Sequence, residues 1–247
     1  MSELMQVTGI GFFAGMLGIL TGGLVSPRTG RRRFFHFINR LEGQPHSRLY
    51  DIFAEFAAGL LIAVICFDLL PEAFLLGGLI NSLLGIFLGL LFMLIFQNIL
   101  VTMRMKRGTV SRCFWLEISL FCIPAGLALG ASYPADGKIA AAVTLAIVLN
   151  SIPEGIRYLG NDSAQRGQKI GIAASYSLLT AFGSFAGAFL TAGSGNGTSL
   201  LLSISGGALL YLCAGVLLRE DGTIRGRLPA VLHILGILLG LLLAVCT

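Results

Sequence analysis

Charge is scarce in this sequence. Asp, Glu, Lys and Arg together make up 12% of its 247 residues, with 3 histidines and 1 tryptophan. A soluble domain of this size carries about twice that charge fraction, so a large water-exposed catalytic domain, a coiled coil and a disordered scaffold are all excluded. The 5 cysteines (Cys66, Cys113, Cys122, Cys213, Cys246) are odd in number and lack CxxC or Cys/His ligand spacing. They read as small apolar packing residues rather than a disulfide framework or a zinc cluster. No HExxH, GxSxG or paired-aspartate motif is present, which argues against an enzyme.

What is abundant is apolar length. Hydrophobic residues make up 55% of the chain and its mean hydropathy is +0.87. Eight sparsely charged apolar runs, near 7–25, 52–70, 77–101, 114–131, 139–159, 170–191, 199–218 and 228–245, are each about the length a bilayer core requires. Between them lie turn-forming joints such as Ser26-Pro27-Arg28, Tyr133-Pro134-Ala135-Asp136-Gly137 and Glu220-Asp221-Gly222. The expected fold is all-α, an eight-transmembrane-helix bundle forming one integral membrane domain over residues 1–247. The first run is read as a retained span, since its positive charges follow the apolar stretch and none precedes it.

The basic residues check that count independently. Sixteen of the 17 Lys and Arg fall at alternate joints, and only Lys138 falls elsewhere. The first joint holds Arg28, Arg31, Arg32, Arg33, Arg40 and Arg48. The positive-inside rule then puts the odd-numbered loops in the cytoplasm and both termini outside, as expected of a multi-pass plasma-membrane protein. The formal charge of +5 therefore reports orientation and contact with the lipid bilayer, not nucleic acid.

Thirty-three glycines include pairs four residues apart: Gly11 and Gly15, Gly18 and Gly22, Gly85 and Gly89, Gly126 and Gly130, Gly183 and Gly187, Gly236 and Gly240. This spacing lets helix backbones approach closely. Packing within one bundle is favoured over a dedicated dimer motif, and a homodimer stays open.

Two segments repeat a pattern, 120–127 (Leu-Phe-Cys-Ile-Pro-Ala-Gly-Leu) and 149–156 (Leu-Asn-Ser-Ile-Pro-Glu-Gly-Ile). Each puts a proline inside an apolar helix, which removes a backbone donor and frees a carbonyl. In lipid that carbonyl must be satisfied by protein, water or an ion. At 1.5 Å per residue, Pro124 and Asn150 lie roughly 15 and 17 Å from opposite helix ends, near the middle of a ~30 Å core. Paired broken helices at the midplane recur in transporter substrate sites.

Asn150-Ser151-Ile152-Pro153-Glu154-Gly155, its fourth-span copy Phe121-Cys122-Ile123-Pro124-Ala125-Gly126, and Ala58-Gly59 followed by Leu70-Pro71-Glu72-Ala73 resemble the motifs of the ZIP family of divalent-metal transporters. The resemblance implies eight spans, external termini and a metal path between helices four and five, with the divalent metal ion as transported substrate and no resident cofactor. Where the family has histidines this chain has Phe121 and Asn150, and where it has the fourth-span glutamate it has Ala125. Leu178-Leu179-Thr180-Ala181 offers no sixth-span acid.

Ionisable groups inside lipid are costly and therefore candidates for function. Glu154 is the foremost, with Asn150, Ser151 and Cys122 as its candidate co-ligands. Asp68 and Glu72 either attract cations at an entrance or mark the helix end, and Glu117 stands near the inner end of span four. Asp51 and Glu55 read as helix N-terminal acids, and His233 as a packed histidine. Two functions follow: a ZIP-like permease for a divalent cation, or a transport-inactive relative keeping the bundle for a structural or regulatory role.

Overall fold

The computed structural model describes residues 2–26, 45–107, 110–160, 166–192, 195–217 and 228–246, with side chains for 3–26, 49–102, 118–160, 167–192, 197–217 and 228–245. Among the described residues the chain is helical, with no strand. The elements are α1 (Ser2–Val25), α2 (Pro45–Val64), a π-helical turn (Ile65–Leu69), α3 (Leu70–Arg107), α4 (Val110–Ser132), α5 (Gly137–Leu159), α6 (Arg166–Thr191), α7 (Gly195–Leu217) and α8 (Leu228–Cys246). Because α2, the π turn and α3 follow without interruption, these make seven continuous helical stretches.

Six of the described stretches are long and apolar enough to cross a membrane, and Ile118–Ser132 is a shorter apolar helix. The difference from the expected eight has a definite origin. The runs at 52–70 and 77–101 lie on one apolar stretch of 54 residues, Leu49–Thr102, and only part of the fourth run is described with side chains. The long stretch is not straight. Gly78 has φ +73° and ψ 171°, a backbone geometry that side-chain-bearing residues avoid. Ser82 Oγ donates to the carbonyl of Ala73 at 2.9 Å, although residues nine apart on a straight helix are about 13.5 Å apart along the axis. The chain thus doubles back at Gly78. Ser199 of α7 donates to the same Ala73 carbonyl at 2.7 Å, tying this hairpin to α7.

The π turn also has a local cause. Leu70 N–H reaches back five residues to the Ile65 carbonyl, and the next residue, Pro71, has no N–H to resume the ordinary ladder. At the other marked joint, Asp136 caps α5 by accepting from Lys138 N–H at 2.8 Å, where the sequence placed a turn.

Small residues pack the helices in pairs. A Cβ on Gly18 or Gly22 would collide with the Val148 or Ile152 carbonyl of α5. On Gly126 or Gly130 it would strike the backbone of α6, on Gly85 or Gly89 it would meet α7, and on Gly236 or Gly240 it would meet α2. Every glycine pair singled out in the sequence is therefore a helix contact within one chain. The interior is correspondingly lean, with a larger cluster around Leu60, Val64, Leu129, Ile147, Leu202 and Leu209 and a smaller one around Ile19, Cys122, Leu159 and Tyr176. The exterior is apolar: only 17% of the span Leu228–Val245 in α8 is buried, and Leu79, Ile80, Phe87 and Phe92 of α3 are exposed. An apolar outer surface of this extent belongs against lipid, which supports a membrane-embedded protein.

Candidate functional site

The two interior prolines stand where the repeat placed them, Pro124 in α4 and Pro153 in α5. Each leaves the carbonyl four residues earlier, Leu120 or Leu149, without its usual helical donor. Beside these prolines a small polar island interrupts the apolar interior, built by α4, α5 and α6.

Its centre is Tyr176 of α6, fully buried at 1% exposure. The Tyr176 hydroxyl lies 3.1 Å from Ser151 Oγ, and Ser151 donates its proton to the Ile147 carbonyl at 2.6 Å. The same serine hydroxyl faces the Tyr176 oxygen as an alternative acceptor, and its one proton serves one of the two at a time. Thr180, one turn along α6, donates to the Tyr176 carbonyl at 2.9 Å. The buried thiol of Cys122 on α4 packs in the same cluster as Tyr176. Glu154, half-buried, is within electrostatic reach of Cys122 and Tyr176. Three helices thus contribute a thiol, a phenol, two aliphatic hydroxyls and one carboxylate to one region.

Of the residues singled out in the sequence, Cys122 and Ser151 both adjoin Tyr176, and Glu154 lies on the same helix as Ser151. Asn150 is half-buried and makes no hydrogen bond to the island among the described residues. Asp68 lies in the π turn and Glu72 in the first turn of α3, both half-buried. One oxygen of Asp68, Oδ2, is buried with no hydrogen-bond partner among the described residues. The Glu117 side chain lies outside the described residues. No three His, Cys, Asp or Glu residues come close enough to hold a metal ion among the described residues. The acids therefore do not gather into one centre, and the island offers Cys122 and Glu154 as its only conventional metal ligands among them. Zinc generally takes four such groups.

Sequence reasoning missed Tyr176 and Thr180. The available signal was their i, i+4 spacing on a helix that also carries Ser177 and Ser184, a polar stripe on an otherwise apolar span. It also read Glu55 and His233 separately, whereas they meet across α2 and α8. Compared with protein-family models and with curated proteins, the chain shows no match to either.

Proposed function

We propose that this chain is a ZIP-like membrane permease for divalent cations, crossing the plasma membrane eight times with its basic loops in the cytoplasm. The eight-span reading rests on the reversal at Gly78. A straight helix of 54 residues would run about 80 Å, more than twice the ~30 Å hydrocarbon core, so the hairpin counts as two spans. The cation path runs between α4 and α5, with Glu154 as the principal carboxylate, Asn150, Ser151 and Cys122 along the path, and Asp68, Glu72 and Glu117 towards its ends. The observation that carries this reading is the meeting of Cys122 of α4, Ser151 of α5 and Tyr176 of α6 beside two interior prolines, with Glu154 directly after Pro153 on α5. An inside-negative potential would drive entry, worth roughly 2.3 kcal/mol per charge per 100 mV.

A second reading has its own support. With no three ligand-type residues grouped among the described residues and Ser151 already engaged by Ile147 and Tyr176, a transport-inactive relative would look the same. Uptake of Zn²⁺, Mn²⁺, Fe²⁺ and Co²⁺ into proteoliposomes separates the two. The permease admits at least one ion faster than protein-free vesicles, and Glu154→Gln lowers that rate at least tenfold. Parent protein that admits none of the four ions, under an inside-negative potential, establishes the inactive reading instead.

A further inference from the structure

Helix α1 changes partners along its length. In its first half Gly11 and Gly15 press on Ser184, Thr180 and Ser177 of α6. In its second half Gly18 and Gly22 press on Val148, Ser151 and Ile152 of α5. Beyond the Gly15–Ser177 contact, α1 and α6 therefore diverge, and a wedge opens between them.

That wedge is a crevice of about 390 Å³, inside the ~300–1,000 Å³ range of small-ligand sites. One wall is a stripe of α1: Phe12, Met16, Leu20 and Leu24. The facing wall is the first turns of α6, where Ile170 is apolar and Lys169 supplies a cation, and Leu159 with Ala173 forms the floor. Leu24 and Ile170 are 72% and 62% exposed, so the crevice opens outward on a surface that lipid would cover. From Leu24 to Phe12 the α1 stripe runs about 18 Å, close to one leaflet of a ~30 Å core. Lys169 lies at the end where α1 stops and the arginine-rich segment 28–33 follows in sequence.

The geometry points to a binding site for one anionic phospholipid, its acyl chain in the wedge between α1 and α6 and its phosphate at Lys169. The depth selects a chain of leaflet length, and the lone cation among its lining residues, at a basic end of the molecule, selects a negative headgroup.

The test is native mass spectrometry of the full chain released from detergent with added dioleoyl phosphatidylglycerol or dioleoyl phosphatidylcholine. One phosphatidylglycerol is retained per chain with a preference of about fivefold over phosphatidylcholine, the effect of one surface cation. Lys169→Gln removes the preference, and Ala174→Trp, which fills the crevice from its exposed rim, abolishes retention of both lipids. Equal retention of the two lipids by the parent overturns the proposal, as does a preference that survives Lys169→Gln or retention that survives Ala174→Trp. Inorganic phosphate that matches the lipid in raising the thermal midpoint overturns it too, by showing an anion site indifferent to the chain. Should Ala174→Trp fail to fold, phosphatidylglycerol carrying a diazirine on its acyl chain decides. Adducts within 12–24 and 169–174 uphold the site, and adducts only elsewhere, or a second copy of the chain filling the wedge, refute it.

Discussion

His233 Nδ1 on α8 stands 3.5 Å from Glu55 Oε2 on α2, one helical turn from the place where Gly59 admits the His233 backbone carbonyl. The distance is that of an ion-pair contact rather than an aligned hydrogen bond, since Nδ1 finds no hydrogen-bond partner within the described residues. Both side chains are largely buried, at 8% and 16% exposure. A polar contact of this kind can glue an outer helix to the bundle where lipid offers no hydrophobic drive.

A double-mutant cycle measures that contact. His233→Leu and Glu55→Leu each destabilise the protein, and the double variant loses less than the sum, with a coupling of about 0.6–1.7 kcal/mol. Thermal unfolding in nanodiscs gives the four values, and strict additivity would show the two residues to be independent.

The glycine contacts predict a contrast between positions of similar hydropathy. Gly22→Val drives a branched side chain into the Ile152 carbonyl and Gly155 and lowers stability by about 1–3 kcal/mol. Gly9→Ala and Gly171→Ala meet nothing within 4 Å and leave stability unchanged or raise it by up to ~1 kcal/mol, as helix propensity dictates. Unfolding midpoints of the three variants in one detergent check the ordering.

At Gly78 the requirement is conformational, because space is open around it but φ is +73°. Gly78→Val and Gly78→Asn both cost about 1–3 kcal/mol, because positive φ combined with ψ 171° lies in a region essentially confined to glycine. The same position tests topology. A cysteine placed at 78 reacts with a membrane-impermeant reagent from the side on which a cysteine at 138 reacts, and a cysteine at 28 reacts from the opposite side. Labelling of 78 and 28 from one face would break the eight-span reading.

Cys122 provides a test of water access that does not depend on choosing the right ion. In a variant retaining Cys122 alone, a charged methanethiosulfonate reagent modifies the thiol at a measurable rate if the α4–α5 path opens to water. Added transported ion then slows the reaction at least twofold. Complete protection with and without ion, in a protein that unfolds normally, matches the transport-inactive reading.

Much of the fold was legible because lipid imposes few alternatives. Apolar runs, turn residues at Tyr133–Gly137 and four-residue glycine spacing each follow from one dominant constraint; the turn and the glycine contacts stand where the sequence put them, and six of the described stretches are apolar spans. The partner of each helix was not legible: Gly18 and Gly22 announce close approach but nothing in their spacing selects α5 over α6. The site divides the same way. Cys122, Ser151 and Glu154 could be found because interior prolines flag their helices, whereas Tyr176 joins them through a tertiary contact 25 residues from Ser151. The π turn also escaped notice, although Pro71 after a charged residue in an apolar run was its visible trace.

The double acceptance by the Ala73 carbonyl bears on how the protein is made. Ser82 arrives with the hairpin itself, but Ser199 lies 126 residues beyond Ala73, so a ribosome delivers the second hydroxyl long after the first. The early hairpin must wait, incompletely fastened, until α7 inserts beside it. Biogenesis of this bundle is thus closed from its C-terminal half, and chains arrested before residue 199 would present quality-control machinery with an unlatched N-terminal half.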